Sequence, residues 1–189
     1  MRRSLWCVLV AAACRNPPPQ TPAPIAPSNV ADPAVARPFR IDRASLPDCS
    51  ALSVLKQSSA GLSVARCGEL GADATPAQVA EALRCVTDAV ATNQPFVFHQ
   101  WVRGIDSLVG IGALGRISGG AFVVDELDYD SDPCGGSCPE RGHTDVTECA
   151  KYTRKSQSDC ARNMLAECFA CDGKHDAGSC VQGGSAVSR

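Results

Sequence analysis

The chain predicts an α+β fold: a small antiparallel three-stranded meander packed on a helix, with a disulfide-rich helical C-terminal tail. Three observations carry this reading. A sharply capped amphipathic segment occupies Thr75–Ala91, three β-rich runs follow it over Phe96–Asp130, and most of the 12 cysteines fall around and after them.

The helix is the best-specified element. Thr75 stands as N-cap, Pro76 at the first helical position, and Gln78 completes a capping box. Val79, Leu83, Val86 and Val90 recur at helical spacing and form one apolar face, with Cys85 on its flank. A shorter helix is expected over Asp48–Ser59, with Leu52 and Leu55 inward and Gly61 ending it.

Asn93-Gln94-Pro95 breaks the helical pattern. Phe96–Arg103, Ser107–Ile117 and Ala121–Asp130 then read as strands, divided by turn chemistry at Gly104-Ile105-Asp106 and Ser118-Gly119-Gly120. In the third run Val123, Leu127 and Tyr129 alternate with Glu126, Asp128 and Asp130, as on a half-exposed strand. A sheet of this size needs the helix as cover. From Asp132 the texture turns loop-like, and Val146–Tyr152 and Ser158–Cys171 read as helical. Cys160, Met164 and Cys168 share a face there at i, i+4 and i+8. Gln182–Arg189 reads as a frayed tail.

A net charge of -2 supplies no basic field for nucleic acid. Hydrophobic residues make up 44% of the chain, enough for one core in a single domain of ordinary size. No later apolar run approaches the roughly 20 residues that span a bilayer.

The N-terminus has its own organisation. Met1–Arg3 is basic, Leu5–Ala13 apolar, and Ala11-Ala12-Ala13 precedes Cys14 as a small-residue cleavage zone. Arg15–Pro38 then holds Pro17, Pro18, Pro19, Pro22, Pro24, Pro27, Pro33 and Pro38, an extended spacer of up to roughly 70 Å at about 3.1 Å per residue. This layout resembles a bacterial lipoprotein. The resemblance covers residues 1–14 and implies that Cys14 is acylated and becomes the mature N-terminus. With the pattern of the later residues, the chain divides into a signal peptide (1–13), an anchor cysteine and linker (14–38), an α+β domain (39–133) and a Cys-rich helical tail (134–189), disulfide-tied to the domain. It implies a membrane-anchored protein of the cell envelope, facing periplasm or cell surface, with the membrane and an unidentified protein or small molecule as partners and no nucleic acid.

With Cys7 lost in the signal and Cys14 lipidated, Cys49, Cys67, Cys85, Cys134, Cys138, Cys149, Cys160, Cys168, Cys171 and Cys180 remain. An even set at this density in an exported chain reads as a disulfide framework. Three of them precede the strand region and seven follow it, so complete pairing demands at least one bond between the groups.

Several motifs invite function. Gly110-Ile111-Gly112-Ala113-Leu114-Gly115 matches G-x-G-x-x-G, but another strand-like run follows where a phosphate-cradling helix is required. Close packing or a bulge is the expectation, and no cofactor is assigned. Asp128, Asp130 and Asp132 imitate the opening of a calcium loop, yet Pro133 stands where glycine must turn and Pro139 where the bidentate glutamate belongs. A solvated strand end is favoured over a looser calcium site. Cys168 and Cys171 form a C-x-x-C at the C-terminal end of the expected helix, where the dipole does not stabilise a thiolate. Structural disulfides are favoured there over redox chemistry, or over zinc held with Cys180 and His175. His99, beside Trp101, reads as a sheet-face residue, with ligand contact as the alternative. No nucleophile, base and orienter assemble. The expected role is a non-enzymatic binding or interaction module, with a metal-binding or thiol-redox envelope protein as the alternative.

Overall fold

One continuous six-stranded sheet organises the chain in the computed structural model, which describes residues 39–135, 142–156, 160 and 164–182. The elements run α1 (Ala51–Ser58), β1 (Ala65–Leu70), α2 (Pro76–Ala91), β2 (Phe96–Arg103), β3 (Leu108–Ser118), β4 (Ala121–Asp130), β5 (His143–Arg154) and β6 (Phe169–Val181). Strand order across the sheet follows chain order. β1 and β2 are parallel, joined by α2 as crossover, and every later pair is antiparallel.

The sheet is not the expected three-stranded meander: the three expected strands are its β2, β3 and β4, which a parallel β1 and antiparallel β5 and β6 extend to six, and the expected helical tail is replaced. Val146–Tyr152 lies inside β5, and within Ser158–Cys171 the described residues hold a 3-10 turn at Leu165–Cys168 and the start of β6. The fold is therefore a six-stranded mixed sheet with two α-helices among the described residues, and the sheet runs on past residue 134. The physical reason is pairing. Thr144, Val146, Thr147 and Thr153 are β-branched and meet β4 or β6 in register, which outweighs a helical spacing carried by three residues.

Local chemistry explains the elements that match expectation. Thr75 and Gln78 form a reciprocal capping box at the start of α2, and Ser50 caps α1 by accepting from the Ser53 amide. Gly119 and Gly120 have φ of 58° and 85°, the two positive values that a tight β3–β4 hairpin turn requires.

Both sheet faces are apolar, and each carries one helix. Val79, Ala82, Val86 and Ala89 of α2 pack with Phe96, Phe98, Ala113, Val124 and Phe169. Ala51, Val54 and Leu55 of α1 pack with Leu114, Leu127 and Val146 on the other side. The glycine run lies wholly within β3 and serves this packing. A Cβ on Gly115 would stand 2.4 Å from the Phe96 ring, and Gly110 faces Trp101 in the same way at 3.1 Å.

Four disulfides are described: Cys49–Cys180, Cys67–Cys85, Cys149–Cys171 and Cys160–Cys168. Cys134 is also disulfide-bonded, and Cys138 lies outside the described residues. The chain is thus cysteine-rich and disulfide-bonded, a chemistry compatible with an extracytoplasmic protein. Cys49–Cys180 supplies the bond between the early and late cysteine groups. Beside it, the Thr144 hydroxyl donates to the Cys49 carbonyl, fixing the start of α1 to β5. Cys14, the proline-rich stretch and residues 183–189 lie outside the described residues. Among the described residues no helix is long and apolar enough to cross a membrane.

Candidate functional site

A register break in β1 builds a cleft with charges of both signs on its rim. Arg66 pairs with Val97 and Glu69 with His99, so a step of three positions along β1 matches a step of two along β2. The extra residue is accommodated at Cys67-Gly68, where Gly68 has φ of 134°. Such a bulge restores side-chain parity after an insertion. It lets Cys67 face α2, where it bonds Cys85, while Arg66 and Glu69 both line the opposite, α1 side.

There a cleft of about 160 Å³ opens between α1, β1 and β2, lined by Leu52, Leu55, Lys56, Arg66, Glu69 and His99. Val97, Ser59 and the bulge glycine Gly68 complete its wall. Lys56 reaches from α1 to Glu69 on β1 at 3.7 Å, spanning from helix to sheet as an exposed ion pair. Arg66 has no ion pair among the described residues and lies exposed beside it.

His99 is 2% exposed, and neither ring nitrogen has a hydrogen-bond partner among the described residues. Its ring packs edge-on against Trp101 with centroids 4.7 Å apart, and Trp101 packs likewise on Tyr129. Burial drives its pKa down to about 4, with Glu69 pulling upward and Lys56 reinforcing the fall. The imidazole is therefore neutral near pH 7, with one donor and one acceptor nitrogen unused. Leaving buried polar atoms unpaired costs about 1–3 kcal/mol, so such a group asks for an explanation.

A second buried polar group sits on the same sheet face. Arg116 Nε donates to Asp125 at 2.6 Å, and one terminal nitrogen donates to Asp125 at 3.1 Å and Glu148 at 2.6 Å. Asp125 and Glu148 are direct cross-strand partners, so the guanidinium separates two facing carboxylates. Burial raises the Asp125 pKa against the opposing pull of Arg116, while the two carboxylates hold Arg116 above its ordinary value despite its own burial. This network holds three strands together but opens on no cavity among those described.

The motifs singled out in the sequence resolve differently. Asp130 accepts from the Asp132 amide as a turn cap, and Asp128 faces Asp145 across β4–β5. Desolvation and then Asp145 raise the Asp128 pKa. Among the described residues these aspartates do not converge into a metal-binding set. The one convergent group is Glu126 with the Cys149 and Cys171 sulfurs, within 4.8 Å of one another, but those sulfurs are bonded to each other. Neither is a thiolate available to a metal. Cys168 and Cys171 do not form a redox unit together: each is bonded elsewhere, to Cys160 and Cys149. His143 lies 2.9 Å from Asp145, and His175 pairs with Glu148 in the β5–β6 register.

Lys56, Arg66 and Glu69 were not legible as site residues, because a bulge in a six-residue strand leaves no periodic trace. Asp125 did carry a signal. It shares strand parity with Val123, Leu127 and Tyr129, so the apolar face had to bury a carboxylate and supply it a cation. Comparison of the chain with protein-family models, with curated proteins and with solved structures finds no match.

Proposed function

We propose that the protein is an extracytoplasmic binding module, tethered to a membrane through lipid on Cys14, that presents a disulfide-stapled domain beyond a proline-rich spacer. Its binding site is the cleft between α1 and β1. The single observation that carries the site is His99, whose two buried and unpartnered ring nitrogens lie beneath a charged rim. The dense disulfide pairing supports export, since such bonds persist in oxidising compartments. The lipobox-like run ending at Cys14 supports the anchor. Binding rather than catalysis is favoured because, among the described residues, His99 is hydrogen-bonded to neither a nucleophile to activate nor a group to orient it.

Intact mass of the detergent-extracted mature protein tests the anchor and the compartment together. The expected species lacks residues 1–13, carries lipid on Cys14 and has no free thiol. A species retaining Met1 with reduced cysteines overturns both.

A further inference from the structure

The cleft carries an assignment of ligand class, which rests on its reading as a binding site. Its rim holds charges of both signs. Among the described residues, Arg66 is an exposed guanidinium with no ion pair, and Glu69 is paired with Lys56 alone, at 3.7 Å with both side chains more than half exposed. An exposed pair of this kind is worth about 0–1 kcal/mol, so a ligand cation displaces Lys56 from Glu69 at little cost. Beneath the rim the walls are apolar, from Leu52 and Leu55, and the floor is the neutral imidazole of His99.

Size narrows the choice. At about 160 Å³ the cleft is smaller than the roughly 300–1,000 Å³ of sites that take drug-sized ligands. That suits a molecule of few heavy atoms and excludes a nucleotide or a folded segment. A metal ion does not fit, because Glu69 and His99 gather no third ligand among the described residues.

We propose that this cleft binds a small zwitterion of amino-acid size, its carboxylate on Arg66, its ammonium on Glu69, and its body over the His99 imidazole. Arg66 supplies the planar fork that matches a carboxylate. Release of Lys56 frees Glu69 for the ammonium and opens the rim above the His99 ring.

Three probes on one two-carbon frame separate the charges: L-alanine, propionate and ethylammonium. They are titrated into the oxidised protein while imidazole proton–nitrogen correlation spectra are recorded, with His143 and His175 as internal references. L-alanine is expected to shift His99 saturably in the millimolar range and to leave the two references in place. Propionate and ethylammonium should each bind about tenfold more weakly, and Arg66→Gln or Glu69→Gln should weaken L-alanine by about tenfold or more. Both variants lie on the exposed rim and keep the fold, which the unchanged spectrum of the other residues verifies. Equal binding of propionate, or wild-type binding of L-alanine by Arg66→Gln, overturns the zwitterion assignment while leaving the cleft a binding site. Silence of His99 toward all three probes overturns the assignment and the site together, whatever the mature mass reports about Cys14.

Discussion

Leu55 of α1 occupies the space that Gly112 of β3 leaves open: a Cβ on residue 112 would stand 2.5 Å from Leu55 Cδ1. Leu55 is 1% exposed and cannot swing aside into solvent. The contact sets how closely α1 approaches the sheet, and so where Lys56 and the cleft stand above His99.

Gly112→Ala is therefore expected to destabilise the protein by about 1–3 kcal/mol through overpacking. Pairing it with Leu55→Ala should recover part of that loss, because the two substitutions compete for one volume. Urea unfolding of the double-mutant cycle measures the coupling, expected at about 0.5–3 kcal/mol. Strict additivity would mean that the two side chains do not share this space.

The Arg116–Asp125–Glu148 network predicts a larger loss. Arg116→Met leaves Asp125, fully buried, without its cation, which should cost about 3–5 kcal/mol. Adding Asp125→Leu to that variant should restore most of the stability, since it removes the stranded charge. Chemical denaturation midpoints of the two variants decide it, and an equally unstable double variant counts against charge burial as the cause.

His99 gives the domain a pH dependence of definite sign. Its folded pKa of about 4 lies below the unfolded value of 6.5, so the unfolded chain binds more protons between them. Stability is full above pH 6.5 and falls as the pH drops toward about 4, by about 3 kcal/mol over that window. The raised pKa values of Asp125 and Glu126 act in the opposite sense toward the acid end. The difference between wild type and His99→Leu isolates the imidazole: the variant should lose the decline between pH 6.5 and 4 that the wild type shows. Parallel stability profiles would exclude His99 as its source.

The disulfides should rank by the loop they close. Cys49–Cys180 spans 131 residues, and loop-closure entropy assigns it about 5 kcal/mol; Cys160–Cys168 spans 8 and receives about 2.5 kcal/mol. Replacing each pair with alanine and comparing unfolding midpoints tests the order. A smaller loss for Cys49/Cys180 would show that the reduced chain already holds its ends together.

Legibility followed the strength of local signals. The capping box at Thr75 and Gln78 and the Gly119-Gly120 turn act within four residues, so both could be read directly. β6 could not. Its middle, residues 172–176, is exposed and contains Asp172, Gly173, Lys174 and Asp176, which have little strand propensity. Pairing with β5 and bonds at Cys171 and Cys180 hold it in the sheet, and these are long-range facts. β5 was misread as helix because Val146, Cys149 and Tyr152 are buried three apart, a spacing a helix also produces. At the site, His99 is legible as a strand residue beside Trp101, but its charged neighbours depend on the β1 bulge.

The Cys49–Cys180 bond also orders events in time. A ribosome makes Cys49 long before its partner, so the latch on α1 waits until nearly all of the paired sheet has been synthesised. Until then the helix that roofs the cleft is held by its packing and by the Lys56–Glu69 pair, with no covalent tie. The last covalent tie of the domain thus reaches back to its first helix.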